Sequence, residues 1–235
     1  MIVSFYGPDG AGKSTLMQQL QEALASRGHV VTGFGGTDVA EWPDQSWHRY
    51  FVKNRIDEGS IEEEAHFAEK IVRCYRLAND LSARFDIVLI DSDPLHKTLI
   101  HDVKRAQSKG EAPEVALPRR FAHFARLLSE AGLTISDRSI YCTLAADPAQ
   151  HGEILLPRIK HRGTLAHWDP KSEAEARRLS EAAETVTTVL KASGVSLKAV
   201  FMDQPIDLPR LTDWLSPEPS RNVGTEGLEP PTSSV

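Results

Sequence analysis

The sequence has 235 residues and is sparing with cysteine, with only Cys74 and Cys142. Each stands inside an apolar pattern, which reads as two reduced core thiols rather than a disulfide. Net positive charge is also lacking, since 27 Lys and Arg face 33 Asp and Glu, a balance of -6, with a pI near 5.9. Affinity for a nucleic acid polymer is built largely from phosphate neutralisation, so a protein whose main task is to coat such a polymer is excluded, while a local basic pocket is not. No run approaches the roughly eighteen consecutive apolar residues of a membrane span, and no basic leader precedes the first apolar segment. The nine histidines lack zinc-ligand spacing, and no internal repeat is evident. The expectation is a soluble, cytoplasmic protein without a membrane or nucleic acid partner.

What is present is an alternation of short strands and longer helices. Four apolar or aromatic residues lead into a glycine loop at 7–12, after which Leu16, Leu20 and Leu24 form one stripe of a helix over 14–27, stopped by Gly28. Residues 29–34 read as a second strand. The stretch 35–51, with Trp42, Trp47, Tyr50 and Phe51 but no regular period, reads as a functional loop entering a short helix. Ser60 and Glu63 make a capping box for a long helix in which Ala65, Ala68, Val72 and Tyr75 keep helical spacing toward Leu81. The unalternated run 87–90 before Asp91 is a strand buried on both faces. A helix near 119–131 stopped by Gly132, a strand over 139–145, a helix introduced by Pro170 and Ser172 and closed by Gly194, and a last strand over 197–202 complete the pattern. Such alternation predicts right-handed crossovers and an α/β fold of three layers, a parallel sheet with helices on both faces. Residues 216–235 are rich in Pro, Ser, Gly and Glu and read as a disordered tail, which leaves 1–215 as one domain.

The segment Gly7-Pro-Asp9-Gly10-Ala11-Gly12-Lys13-Ser14-Thr15 satisfies G-x-x-x-x-G-K-[ST]. Glycines let backbone amides converge on phosphate oxygens, and the helix start behind them adds partial positive charge. In a P-loop NTPase fold, Lys13 reaches the β and γ phosphates and the Ser14 hydroxyl ligates magnesium, with Asp91 as a carboxylate on the metal side. ATP and Mg2+ are the expected cofactors. An ATP-binding cassette ATPase is disfavoured because no LSGGQ-like signature follows and Asp91 precedes Ser92 rather than Glu; a GTPase is disfavoured because no NKxD segment is present.

Over residues 1–210 the chain resembles the thymidylate kinase family and its deoxynucleoside kinase relatives. The loop YGPDGAGKST is similar to the family loop, which implies that the Asp9 carboxylate faces the acceptor sugar. The helix ending RCYRLAND before DIVLID resembles the one whose arginine holds the acceptor phosphate, implicating Arg76 or Arg73. IYCTLAADP looks like the strand before the family's lid, and Arg158-Ile-Lys-His-Arg162-Gly resembles the lid motif R-x-x-x-R-G, placing a lid at about 150–170. Arginines four apart share a helical face, so both could close over transferring phosphates.

The chain departs from the family where Asp91-Ser92-Asp93 stands in place of Asp-Arg-Tyr, where the Arg-Glu-Pro after the second strand is missing, and in an insertion around 105–135. Asp93 reads as an alternative acid for orienting the acceptor. The resemblance implies a phosphotransferase acting on a nucleotide or nucleoside, with Lys13, Arg158, Arg162, Asp9 and Asp91 catalytic. A kinase of another small molecule and a non-catalytic nucleotide binder stay open, as does a homodimer.

Overall fold

The computed structural model describes residues 1–36, 60–161 and 170–216. Five strands form one sheet: β1 (Ile2–Tyr6), β2 (Val31–Gly35), β3 (Ile87–Asp91), β4 (Arg138–Thr143) and β5 (Leu197–Phe201). Their spatial order is β2-β3-β1-β4-β5 and every pairing is parallel. β1 lies at the centre and is buried along its whole length, apolar except for Ser4, which is hydrogen-bonded in the core.

Among the described residues, seven α-helices flank the sheet: α1 (Lys13–Ser26), α2 (Ile61–Ser82), α3 (Pro94–Ser108), α4 (Pro113–Glu130), α5 (His151–Lys160), α6 (Glu173–Ala192) and α7 (Leu208–Leu215). Alternate residues of the strands point into two separate cores. Ile2, Tyr6, Val88, Ile90 and Tyr141 meet α2, α3, α4 and α6. Val3, Phe5, Leu89, Ile140 and Cys142 meet α1, α5 and α7, with Leu16, Leu20 and Leu24 of α1 wholly buried. Each such leucine contributes about 1.5–3 kcal/mol by leaving water. This is the expected three-layer arrangement.

Local signals act as anticipated at several ends. Ser60 accepts a hydrogen bond from the Glu63 amide at 3.1 Å and starts α2, and Gly28, Gly132 and Gly194 all take positive φ just beyond helices. Three readings change. α3 was not anticipated; Asp93 caps it and Pro94 takes its first position. α4 begins at Pro113 rather than near 119, because Pro118 is accommodated inside the helix instead of breaking it. The buried stripe of α2 runs through Phe67, Ile71, Cys74, Tyr75 and Ala78, whereas Ala65 is exposed, since the larger side chains decide which face turns inward. The segment 105–135 contributes Leu117, Phe124 and Leu128 of α4 to the first core. Most of the aromatic loop at 35–51 lies outside the described residues, as does the tail from 217 onward.

Both cysteines are buried free thiols. Burial pushes the Cys74 thiol well above its ordinary value and that of Cys142 up to about 12. On α2, burial and the Lys70 charge lower the pKa of His66 to about 4. The folded state therefore refuses a proton that the unfolded chain takes near pH 6.5. Stability should fall as pH drops from about 6.5 toward 4 and level off below, by on the order of 2 kcal/mol. His66→Gln should flatten that slope in urea titrations at stepped pH.

Candidate active site

The strand β1 ends at the sheet centre, and the loop that follows must turn sharply to start α1. Gly7 (φ 139), Gly10 (φ 82) and Gly12 (φ 88) supply the left-handed backbone this needs. The fit is tight. A Cβ on Gly7 would sit 2.1 Å from the Cys142 carbonyl oxygen of β4. Gly7→Ala should cost about 3 kcal/mol of stability through strain and overpacking together and should weaken triphosphate binding, as read by urea denaturation and calorimetry.

No side chain caps α1 at Gly12. The amides at the helix start are thus left for an anion, with the helix dipole behind them. The Lys13 side chain is almost fully buried; its ammonium donates to the carbonyl oxygens of Gly7 at 3.1 Å and Pro8 at 2.9 Å and lies 3.7 Å from the Asp9 carboxylate. Those bonds hold the lysine back along its own loop, at the level where phosphates would lie. Ser14 and Thr15 face solvent.

The Ser14 hydroxyl donates to Asp91 Oδ2 at 2.5 Å, joining the head of α1 to the end of β3. Asp91 is fixed from two other sides. Its carbonyl accepts from the Gly36 amide at 2.7 Å, and Oδ1 accepts from the Ser92 hydroxyl at 3.2 Å. Ser92 takes φ 58, which turns the chain out of β3. A non-glycine residue in that region costs roughly 1 kcal/mol, offset here by the contacts it secures.

α5 borders the loop on another side. A Cβ on Gly10 would meet Ile159 Cγ1 at 3.0 Å and Arg158 Cβ at 3.6 Å, so Arg158 stands next to the cradle. The segment at 150–170 begins as packed structure: Leu155 and Ile159 are wholly buried, and His151 bonds Ser180 of α6 and the Ala146 carbonyl. Arg162 lies outside the described residues.

Arg73 and Arg76 lie on α2, which packs on the opposite face of the sheet from α1. Arg73 pairs with Glu69 at 2.6 Å, and Arg76 is exposed. The structure places Asp93 in the core rather than facing the cradle. Its side chain is wholly buried, accepting from the Leu95 amide at 2.8 Å, from Tyr75 Oη at 2.6 Å and from Ser4 Oγ. His96 Nδ1 lies 3.1 Å away. An acid so enclosed and so fully engaged serves the fold and has no path to an acceptor.

Sequence reasoning missed Met202 and Asp203 just after β5. Met202 Cε would lie 3.0 Å from a Cβ on Gly12, so it backs the cradle. Asp203 accepts the amides of Ala145 and Ala146 at 2.7 and 3.2 Å, tying the tips of β4 and β5 together. Although desolvation works against it, these bonds and the Arg158 charge hold its carboxyl below the usual range. The available signal was a strand ending in Met-Asp beside another ending in Ala-Ala-Asp.

A solved structure decides the architecture. Deoxyadenosine kinase from M. mycoides with bound dATP superposes with a TM-score of 0.53, covering 92% of this chain and 97% of that one at 15% sequence identity. The chain shares the overall fold of that deoxyadenosine kinase. At the level of sequence, it has a local match to thymidylate kinase of Bacillus velezensis, 43% identical over 44 residues. That match takes in 17% of this chain and spans only 21% of the thymidylate kinase. No protein-family model matches the chain. Among the described residues, no helix is long and apolar enough to cross a membrane.

Proposed function

We propose that the chain is an ATP-dependent phosphotransferase that moves the γ-phosphoryl group to a nucleotide or nucleoside. The observation that carries this reading is the joining of Ser14 and Asp91 at 2.5 Å directly beneath the uncapped head of α1. A hydroxyl and a carboxylate oxygen so close together are hard donors of the kind magnesium takes, so Ser14 and Asp91 would hold the ion. Bound there, magnesium would supply positive charge to offset that of the phosphate oxygens.

The remaining work falls to protein groups. Amides of the loop and of the first turn of α1 position the triphosphate, and Lys13 leaves the Gly7 and Pro8 carbonyls to follow the charge on the β and γ phosphates. Arg158, beside Gly10, supplies a planar donor for the transferring phosphoryl, with Arg162 as its proposed partner. Asp9, next to Lys13, is the proposed base or orienting group should the acceptor be a hydroxyl; a monophosphate acceptor already carries its negative charge and needs none. Arg73 and Arg76 are proposed for the acceptor's phosphate. The specific form favoured by the local sequence match is a nucleoside monophosphate kinase of thymidylate kinase type.

A second reading rests on the end of β3. Ser92 follows Asp91 and Asp93 is sealed in the core, so this turn offers an acceptor phosphate neither an arginine nor a free acid. That favours a different small acceptor, sharing the cradle and differing where the acceptor sits. The test is transfer from labelled ATP with magnesium to a panel of nucleosides, monophosphates and small alcohols. Label on thymidylate supports the first form, label on a non-nucleotide supports the second, and label on none of them refutes phosphotransfer.

A further inference from the structure

Away from the cradle, cations gather around Trp214 without a counter-charge. Arg138 opens β4 and Lys198 is the second residue of β5. The pairing of Ile140 with Lys198 places Arg138 and Lys198 on the same face of the sheet, the one covered by α7. Their charged ends lie 5.2 Å and 4.7 Å from the centroid of the Trp214 ring on α7. Arg210, one turn earlier on α7, is close enough for its charge, with that of Arg138 and after desolvation, to lower the pKa of the Lys198 ammonium.

Three cations this close would ordinarily be interleaved with carboxylates. Among the described residues none of the three makes an ion pair, and the acids adjoining them in sequence are committed elsewhere. Asp137 accepts the Ile2 amide at 2.6 Å. Asp207 accepts the Arg210 amide at 3.0 Å, capping α7, and is the one acid among these that borders the cavity that Lys198 and Arg210 line. Asp213 pairs with Arg27 of α1. The indole face attracts Arg138 and Lys198 but does nothing to separate like charges from one another. Nη1 of Arg138 is buried and has no hydrogen-bond partner, a donor with an unmet demand. Lys198 and Arg210 also line a cavity of about 380 Å³ between the edge of β5 and α7, walled in part by Phe201, Ile206 and Leu211.

We propose that Arg138, Lys198 and Arg210 form a second anion site, distinct from the cradle, that takes a phosphate group. Charge selects the ligand: a phosphate carries about -1.5 to -2 near neutral pH, whereas a single carboxylate would leave most of the repulsion in place. Two arginine forks can each engage a pair of phosphate oxygens, with the lysine as a point charge between them. The site is remote from the triphosphate. Arg138 stands four residues before Cys142, whose carbonyl abuts Gly7, so it lies about 13 Å down the strand from the cradle.

The test uses the full chain with Trp42, Trp47 and Trp168 replaced by phenylalanine, leaving Trp214 as the fluorescent reporter. Inorganic phosphate is titrated at constant ionic strength balanced with sodium chloride. The expected result is a saturable change in Trp214 emission that persists in Lys13→Ala and weakens at least about tenfold in Lys198→Met or Arg210→Gln. Lys198→Met keeps an unbranched side chain over the ring and removes one repelling charge, so without phosphate its melting temperature should stay level or rise by about 1–3 °C, which shows that lost binding is not lost folding. A parallel titration with ribose 5-phosphate separates the two sources of the group. Tighter binding of the ester assigns the site to a phosphorylated metabolite, and equal binding assigns it to free phosphate. No saturable response up to tens of millimolar, a response unchanged in both charge variants, or a response abolished by Lys13→Ala would overturn the proposal. None of these readouts depends on phosphotransfer by the cradle.

Discussion

Lys13→Ala is expected to lower phosphoryl transfer by about a thousandfold or more while leaving the fold intact. The side chain is buried, but its partners are the loop carbonyls of Gly7 and Pro8 and the Asp9 carboxylate, all at the mouth of the site. Truncation opens the part-buried Gly7 and buried Pro8 carbonyls to water entering from the cradle, which keeps the cost near about 1 kcal/mol. Losing the cation that follows charge onto the transferring phosphoryl cannot be offset by water in a closed site. The separation of the two effects is the informative part. A urea midpoint close to wild type together with transfer reduced to background assigns Lys13 to chemistry, and turnover near the wild-type rate removes it from the machinery.

Asp93→Asn is expected to do the reverse. The wholly buried carboxylate takes hydrogen bonds from Ser4, Tyr75 and the Leu95 amide and faces His96 at 3.1 Å. Asparagine keeps the shape but brings an NH2 group where only donors point, and it withdraws the negative charge from the imidazole. Breaking a buried pair from one side costs about 3 kcal/mol or more. Urea denaturation should therefore show a large fall in midpoint at unchanged slope, with residual transfer by whatever fraction stays folded. Had Asp93 been the acceptor-orienting acid, stability would hold and turnover would vanish.

The pH dependence gives a second check on the same residue. Burial alone would raise the Asp93 pKa, but the His96 charge and the hydrogen bonds outweigh it and hold the carboxyl below its ordinary value. A depressed folded pKa means stability that is fully present above about pH 4 and is lost as the pH falls through the lower, folded value. Wild type should show this acid-limb loss and Asp93→Asn should not.

Much of the architecture was legible because the signals were local. The strand, glycine loop and helix of residues 2–26, the Ser60 cap and the glycines that end helices each depend on a few neighbouring residues. The order of strands was not legible, since nothing within β1 itself states that β3 and β4 will flank it. α3 was overlooked although Asp93-Pro94 followed by Leu95, Leu99 and Val103 is a cap with a four-residue stripe. By type and position Asp93 reads equally as a reagent, and an acid cannot be both a helix cap sealed in the core and a solvent-facing base. Chemical type alone does not choose between those fates; burial does. At the candidate site, Ser14 and Asp91, 77 positions apart, were both expected on the metal side from the glycine loop and a separate strand end, and the structure brings their side chains together. The roles of Met202 and Asp203 were not expected, because they arise only when β5 is laid beside β4.

The contact between Gly7 and the Cys142 carbonyl has a practical corollary. The Cys142 thiol is sealed in the core and kept protonated by burial, with a pKa of about 12, so an alkylating reagent can reach it only when the chain opens around β4. Since β4 is the wall against which the first glycine of the cradle rests, the rate of its modification becomes a clock for excursions that dismantle the nucleotide seat, and a ligand that grips the seat should slow that clock in proportion to its occupancy.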